Sequence, residues 1–351
     1  MHHERRLPRY LALAYALLTA YACLHPFSGW RDTGISPFAF LTAPWPRYVT
    51  YADLVFNALG FVPLGFMLAA SAWHTADKRL VVLVATLLCA LLSGSLEFVQ
   101  NYLPTRVASN VDLATNTLGG LFGALAGIRW GNIFEYDGFL ASWRRRRILP
   151  GHIGEIGLIL VALWWLTQLE PTSTLFGTGD MRPLFDLPAA ITFSARRFVL
   201  IETLIVSMNV LALGLLVRRC MHEPGGALVA LVLIVGLAVR SLADYLFVMP
   251  PDPWLWATPG ALRGLVIGLT ALIVAWRLPG WLQHSLACAA LLFCTALVNI
   301  APENPFELAS MRLIHQSHFL NFHGLTRLAD FVWPFLALIY LSANAALGPR
   351  R

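Results

Sequence analysis

Ten apolar stretches, each close to the length needed to cross a bilayer, leave this chain few ways to fold. Inside a membrane every backbone N–H and C=O must find its partner within the protein, so a spanning segment is a helix or part of a closed barrel. About 20 helical residues cross a hydrocarbon core of about 30 Å. The stretches 8–24, 51–73, 80–102, 110–130, 150–168, 198–217, 226–248, 259–276, 281–300 and 328–347 meet that requirement. Hydrophobic residues make up 58% of the 351 and charged residues only 13%, too apolar a balance for an ordinary soluble domain. The sequence predicts an all-α protein, a polytopic transmembrane helical bundle.

Orientation follows from where lysine and arginine fall at the span ends and in the short loops. With the N-terminus inside, 15 of the 25 lie on the inner side, including Arg5, Arg6, Lys78, Arg79, Arg144 to Arg147, Arg218 and Arg219, and 8 on the outer. Arg240 and Arg263 fall within spans. Both termini are therefore predicted cytoplasmic, in a multi-pass protein of the inner (cytoplasmic) membrane. The net charge of +6 reads as inner-surface anchoring against membrane lipids, and no nucleic-acid motif accompanies it. The first span lacks a small-residue cleavage pattern and reads as retained. The five cysteines form no C-x-x-C and read as small residues between helices.

The spans fall into groups. Span 1 leaves through Leu24-His25-Pro26 and span 5 through Leu169-Glu170-Pro171; span 3 reads Ser95-Leu96-Glu97-Phe98 and span 7 Ser241-Leu242-Ala243-Asp244. These echoes keep their order at offsets of about 145 to 150 residues, as expected of an internal repeat. Four spans per copy is an even number, so the copies share an orientation, the parallel-repeat arrangement. The last two spans repeat the opening again, Leu328-Ala329-Asp330-Phe331 standing where Tyr51-Ala52-Asp53-Leu54 opens span 2. The predicted plan is 4 + 4 + 2: a four-helix unit over 1–130, a basic cytoplasmic linker over 131–149, a degenerate second four-helix unit over 150–277 and a two-helix unit with a long outer loop over 278–351.

Polar residues concentrate at one level of the first unit. Asp53-Leu54-Val55-Phe56-Asn57-Ala58-Leu59-Gly60 is echoed 59 residues later by Asp112-Leu113-Ala114-Thr115-Asn116-Thr117-Leu118-Gly119. An acid and an amide four residues apart share a helix face, so each phrase projects a polar pair from the mouth of an apolar helix. Span 3 carries Glu97 and Gln100 one turn apart near its outer end, and the loop after it supplies Arg106 and Ser109. Asp53, Asn57, Glu97, Gln100, Arg106, Ser109, Asp112 and Asn116 all fall in the outer third of the membrane and converge if spans 2, 3 and 4 pack together. A charge at the bilayer centre costs roughly 2.5 to 3.5 kcal/mol on insertion scales, and such residues usually face the bundle interior. Glu97 is the deepest acid and the first candidate. Gly119, Gly123 and Gly127 form a small-x-x-x-small stripe for close helix approach. Pro63 should kink span 2 and free backbone carbonyls toward the cluster.

The second unit offers Glu202, Arg240, Asp244 and Arg263 in the outer half of its spans. Two acids and two arginines suit a neutral ion-pair network, and Arg240 or Arg263 would alternatively present bidentate donors to a lipid phosphate. The last outer loop holds His315, His318 and His323 with Arg312, Gln316 and Asn321. It reads as an amphipathic interfacial helix and not as a metal site, since no Cys or acid completes the set locally. The sequence calls for no metal and no cofactor.

Three strings in order resemble the VanZ-like membrane family, which is named for a teicoplanin-resistance accessory protein. They are N-x-x-G-F-x-P-x-G at Asn57 to Gly65, E-x-x-Q at Glu97 and Gln100, and R-x-x-S-x-x-D-x-x-x-N-x-x-G at Arg106 to Gly119, and the resemblance covers about residues 10–130. Where that family tends to carry a serine about one turn before the Glu, this chain has Gly94 flanked by Ser93 and Ser95. The resemblance implies a compartment and a site more than a reaction, together with an effect on glycopeptide susceptibility.

Three functions fit these residues. One is a binding or transport module holding an amphiphilic cell-envelope intermediate, such as a polyprenyl-linked one, at the outer leaflet. Another is a membrane-embedded enzyme on a lipid-linked substrate, with Glu97 as acid or base, Asp112 and Asp53 beside it, and Arg106 steadying an oxyanion or phosphate. The third is a structural subunit whose polar residues only lock helices. No Ser-His-Asp order, P-loop, G-x-G-x-x-G or H-E-x-x-H promotes the enzyme, so the sequence favours the binding module.

Overall fold

The computed structural model describes residues 7–302 and 323–347, apart from 26, 46–50, 75–76, 105, 135–137, 171, 186, 222–224 and 249. Its helices are α1 (Leu7–Leu24), α2 (Tyr51–Ser71), α3 (Lys78–Gln100), α4 (Asn110–Trp130), α5 (Phe139–Arg147), α6 (His152–Thr167), α7 (Arg182–Phe185), α8 (Ala195–Arg219), α9 (Gly226–Phe247), α10 (Pro259–Ala275), α11 (Gly280–Ile300) and α12 (His323–Leu347). Among the described residues the only β pairing is an isolated bridge between Ile148 and Met221, so the all-α expectation holds. Among the described residues eight helices are long and apolar enough to cross a membrane. The fifth and eighth apolar stretches form shorter helices, α6 with 16 residues and α10 with 17. Leucine, isoleucine, valine and phenylalanine crowd the exposed faces of these helices, as a lipid solvent allows.

The described residues divide into two compact units, 7–146 and 147–347. The first holds α1 to α4. Its tightest pair is α2 with α4, and the residues in contact explain why. A Cβ built on Gly119, Gly123 or Gly127 would strike the backbone of Ala58, Val62 or Phe66 in turn, so only glycine lets the two helices come this close. Both series rise along the chain in steps of four, which makes α2 and α4 parallel. The two D-L-x-x-N-x-L-G phrases therefore open at the same end of the bundle, where α1 and α3 finish. Asp77 caps α3 by accepting the Arg79 and Leu80 amides at 2.9 and 3.1 Å, and Ser109 caps α4. Pro63 stands inside α2. The carbonyl engaged at this level is that of Gly60, which accepts the Tyr15 hydroxyl of α1 at 2.9 Å.

The second unit is organised around α8, whose buried side chains run from Glu202 to Val217 on all its faces. A helix buried on all its faces stands in the middle of its bundle. Here too a parallel pair is locked by glycine: Gly260, Gly264 and Gly268 of α10 lie against Glu202, Val206 and Val210 of α8. The Trp165 indole of α6 donates to the Val232 carbonyl of α9 at 3.0 Å. The indole of Trp333 and the hydroxyl of Tyr340, both on α12, donate to the α6 carbonyls of Leu160 and Ile153 at 2.8 and 3.0 Å. Each of these bonds carries a polar side-chain tip into an apolar interior with its partner already supplied.

Candidate functional site

At the end of the first unit where α3 finishes and α4 begins, Glu97 is buried to 3% exposure. Its Oε2 accepts the backbone N–H of Ser109 at 2.8 Å. Ser109 is well placed for this because it is the N-cap of α4: its backbone is extended, and its own Oγ accepts the amides of Val111 and Asp112 at 3.2 and 3.3 Å. One residue thus caps a helix with its side chain and fixes a carboxylate with its main chain. Among the described residues Glu97 has no ion pair. Asp112 and Arg106 act on it electrostatically, the first repelling and the second attracting its charge.

Arg106 is anchored by main chain. Its Nη2 donates to the carbonyls of Ala22 and His25, at 3.2 and 3.3 Å, where α1 runs out of helix. Those are orphan carbonyls of a helix C-terminus, a natural seat for a cation. Burial pulls the guanidinium below the usual arginine value, while Cys23 and Glu97 pull it back up. Gln100, buried, reaches the same helix end and donates to the Cys23 carbonyl at 3.0 Å. One turn below Glu97, the fully buried Ser93 accepts the Asn116 amide at 3.0 Å, and the other side-chain atom of that amide, Oδ1, accepts nothing from the described residues.

The structure therefore brings together six of the eight residues expected in this unit: Glu97, Gln100, Arg106, Ser109, Asp112 and Asn116. Asn57 stands half-buried on the parallel helix α2, and the Asp53 side chain lies outside the described residues. Of the two serines that flank Gly94, Ser93 is the one that fills the place one turn before the acid, four residues from Glu97. One contributor was missed. The end of α1 closes the site through backbone carbonyls, which leave no mark in a sequence.

The second unit does not join its four ionisable residues into one network. Arg240 pairs with Asp244 along α9 at 3.1 Å and donates to the Glu170 carbonyl at 2.8 Å. Asp244 also accepts the Trp256 backbone N–H at 3.1 Å. Glu202 accepts the Thr258 hydroxyl at 2.6 Å. Arg263 is exposed on α10, which corrects the expectation of a four-membered network: Gly260, Gly264 and Gly268 occupy the inward face, and position 263 is rotated off it. The histidine loop lies outside the described residues, with His323 beginning α12.

Fold and site together define a helical membrane protein with a buried polar cluster at one end of its first bundle. Residues 11–131 match the VanZ/LLP1 family, so the unit that holds Glu97 is VanZ-like. No curated protein and no solved structure matches the chain.

Proposed function

We propose that the first unit binds an amphiphilic cell-envelope intermediate, such as a polyprenyl-linked one, with Glu97 and its neighbours contacting the headgroup. The observation that carries this reading is the state of Glu97. It is a buried carboxyl group, fixed on one side by Ser109 and without an ion pair among the described residues, where a purely structural acid would be expected to be paired. The unclaimed Oδ1 of Asn116 and the charges of Arg106 and Asp112 add an acceptor, a cation and a second anion, enough to orient a polar headgroup while its chains remain in lipid. Charge distribution supports an inner (cytoplasmic) membrane location with both termini cytoplasmic and the site toward the outer leaflet. In that setting the protein affects glycopeptide susceptibility through the supply or position of an envelope precursor. The second unit is read as a degenerate copy that kept the helix plan.

Purified Glu97→Gln and Asp112→Asn proteins, tested against labelled lipid-linked precursors, decide the matter. Binding lost in both variants supports the reading. Turnover lost with binding retained makes the site catalytic. Unchanged binding with lowered thermal stability makes it structural. Labelling of cysteines placed at Arg106 and Arg145 from either side of the membrane checks the orientation, and an Arg106→Cys protein labelled only from the cytoplasm overturns it.

A further inference from the structure

The second unit contains a buried acid that neither the family match nor the proposed function uses. Between α6 and α7 the chain forms an irregular segment whose residues Leu175 to Gly179 are buried. Irregular backbone that is buried in this way must have its polar groups met by the protein or line a site. Phe176 holds a left-handed φ of 61° and packs its ring on Trp164 at 5.0 Å between centroids. Gly179 is also left-handed, and its N–H donates to the Asp330 carbonyl at 2.9 Å. That carbonyl is available because Pro334, four residues on in α12, has no N–H to claim it. The next amide, of Asp180, points to Asp330 Oδ2 at 3.4 Å.

The neighbouring charges are already committed. Asp180 is bound by Arg182 at 2.7 Å, Arg240 is paired with Asp244, and both oxygens of the Glu170 carboxylate accept hydroxyls, from Thr172 at 2.6 Å and Thr326 at 2.8 Å. Among the described residues two oxygens here have no hydrogen-bond partner: Oδ1 of Asp330, a residue 5% exposed, and Oγ1 of Thr178, a residue 1% exposed. Thr178 directly precedes the two residues whose amides engage Asp330. Both Glu170 and Asp180 impose negative potential on Asp330. A buried carboxylate oxygen with no donor, in a negative surrounding and facing an irregular segment, is a strongly unfavourable arrangement unless a cation or a proton completes it. Unwound segments in membrane bundles hold small cations in this way, and a carboxylate and a hydroxyl are hard oxygen ligands suited to an alkali ion.

We propose that Asp330 and Thr178 bind a monovalent metal cation of the sodium class. The test is thermal unfolding of the full-length protein in nanodiscs of zwitterionic lipid, in lithium, sodium, potassium or choline chloride at equal ionic strength and fixed pH. The expected result is a saturable rise in unfolding temperature with one alkali ion over choline. That rise is lost in Asp330→Asn and needs about tenfold more ion in Thr178→Val, a loss of about 1.4 kcal/mol in affinity. In choline, Thr178→Val should be no less stable than the parent, because it removes a buried hydroxyl that has no partner. Should Asp330→Asn fail to fold, Thr178→Val still decides. Equal unfolding temperatures in all four salts overturn the proposal, as does a rise that follows pH and is indifferent to the ion, which would make the ligand a proton. Precursor binding by the first unit is a separate readout, so either reading can fail alone.

Discussion

In each unit an acid near the end of the third helix accepts a backbone N–H from twelve residues further along, Ser109 onto Glu97 at 2.8 Å and Trp256 onto Asp244 at 3.1 Å. One turn before the acid the units part. The first has Ser93, which takes up the Asn116 amide; the second has Arg240, which ties Asp244 at 3.1 Å. Asp244 is thereby neutralised on its own helix and locked to the end of α6 through the Arg240 bond to Glu170. Glu97, also buried, has no ion pair among the described residues. The difference is instructive because the surrounding helices are so alike, with a glycine-lined parallel pair in both units. One acid is tied to an arginine on its own helix, and the other is held by a backbone N–H without an ion pair among the described residues.

The sharpest way to break this comparison is to remove the arginine. Arg240→Met leaves Asp244 buried without its cation and is expected to cost about 3 to 5 kcal/mol, read as the unfolding free energy in nanodiscs. Adding Asp244→Leu should recover most of that loss, because replacing both members of a buried pair is often near neutral. The glycine stripes come next. Gly123→Ala and Gly264→Ala each force a methyl group into the facing helix and should cost about 1 to 3 kcal/mol, similar in the two units. Gly60→Ala, with nothing within 4 Å of its Cβ position, is the control and should be neutral or stabilising. Glu97→Gln should cost only about 1 kcal/mol, since it keeps the shape and an oxygen that can accept the Ser109 N–H. A Glu97→Gln loss as large as that of Arg240→Met would make both acids structural and end the distinction.

Much of this was legible in the sequence, and the parts that were not share a cause. Helix placement followed from apolar runs, and the first site from polar residues recurring at helical spacing. The stripe Gly260/Gly264/Gly268 was equally legible and marks the parallel pair of the second unit. What escaped were contacts made by main chain: the carbonyls of Ala22, Cys23 and His25 that seat Arg106 and Gln100, and the Ser109 and Trp256 amides that hold the two acids. Every residue carries these groups, so no side-chain pattern announces them. Asp330 escaped for a related reason. Its neighbours Thr178, Asp180 and Glu170 come from a segment about 150 residues away in sequence that folds back without helical period.

Arg263 supplies the smallest and most discriminating expectation. From sequence it is the twin of Arg240, an arginine inside an apolar stretch with acids within reach. In the folded chain Arg240 is buried and paired, whereas Arg263 sits on the exposed face of α10, where its long side chain can run toward the membrane surface. Arg263→Gln should therefore change unfolding free energy by less than about 0.5 kcal/mol, the usual scale for a surface substitution. Measured beside Arg240→Met under the same conditions, it separates burial from residue type. A loss for Arg263→Gln of several kcal/mol would mean that Arg263 turns inward to Glu202. The second unit would then hold the neutral four-charge network that its sequence suggests, and Asp244 would no longer be the sole counterpart to Glu97.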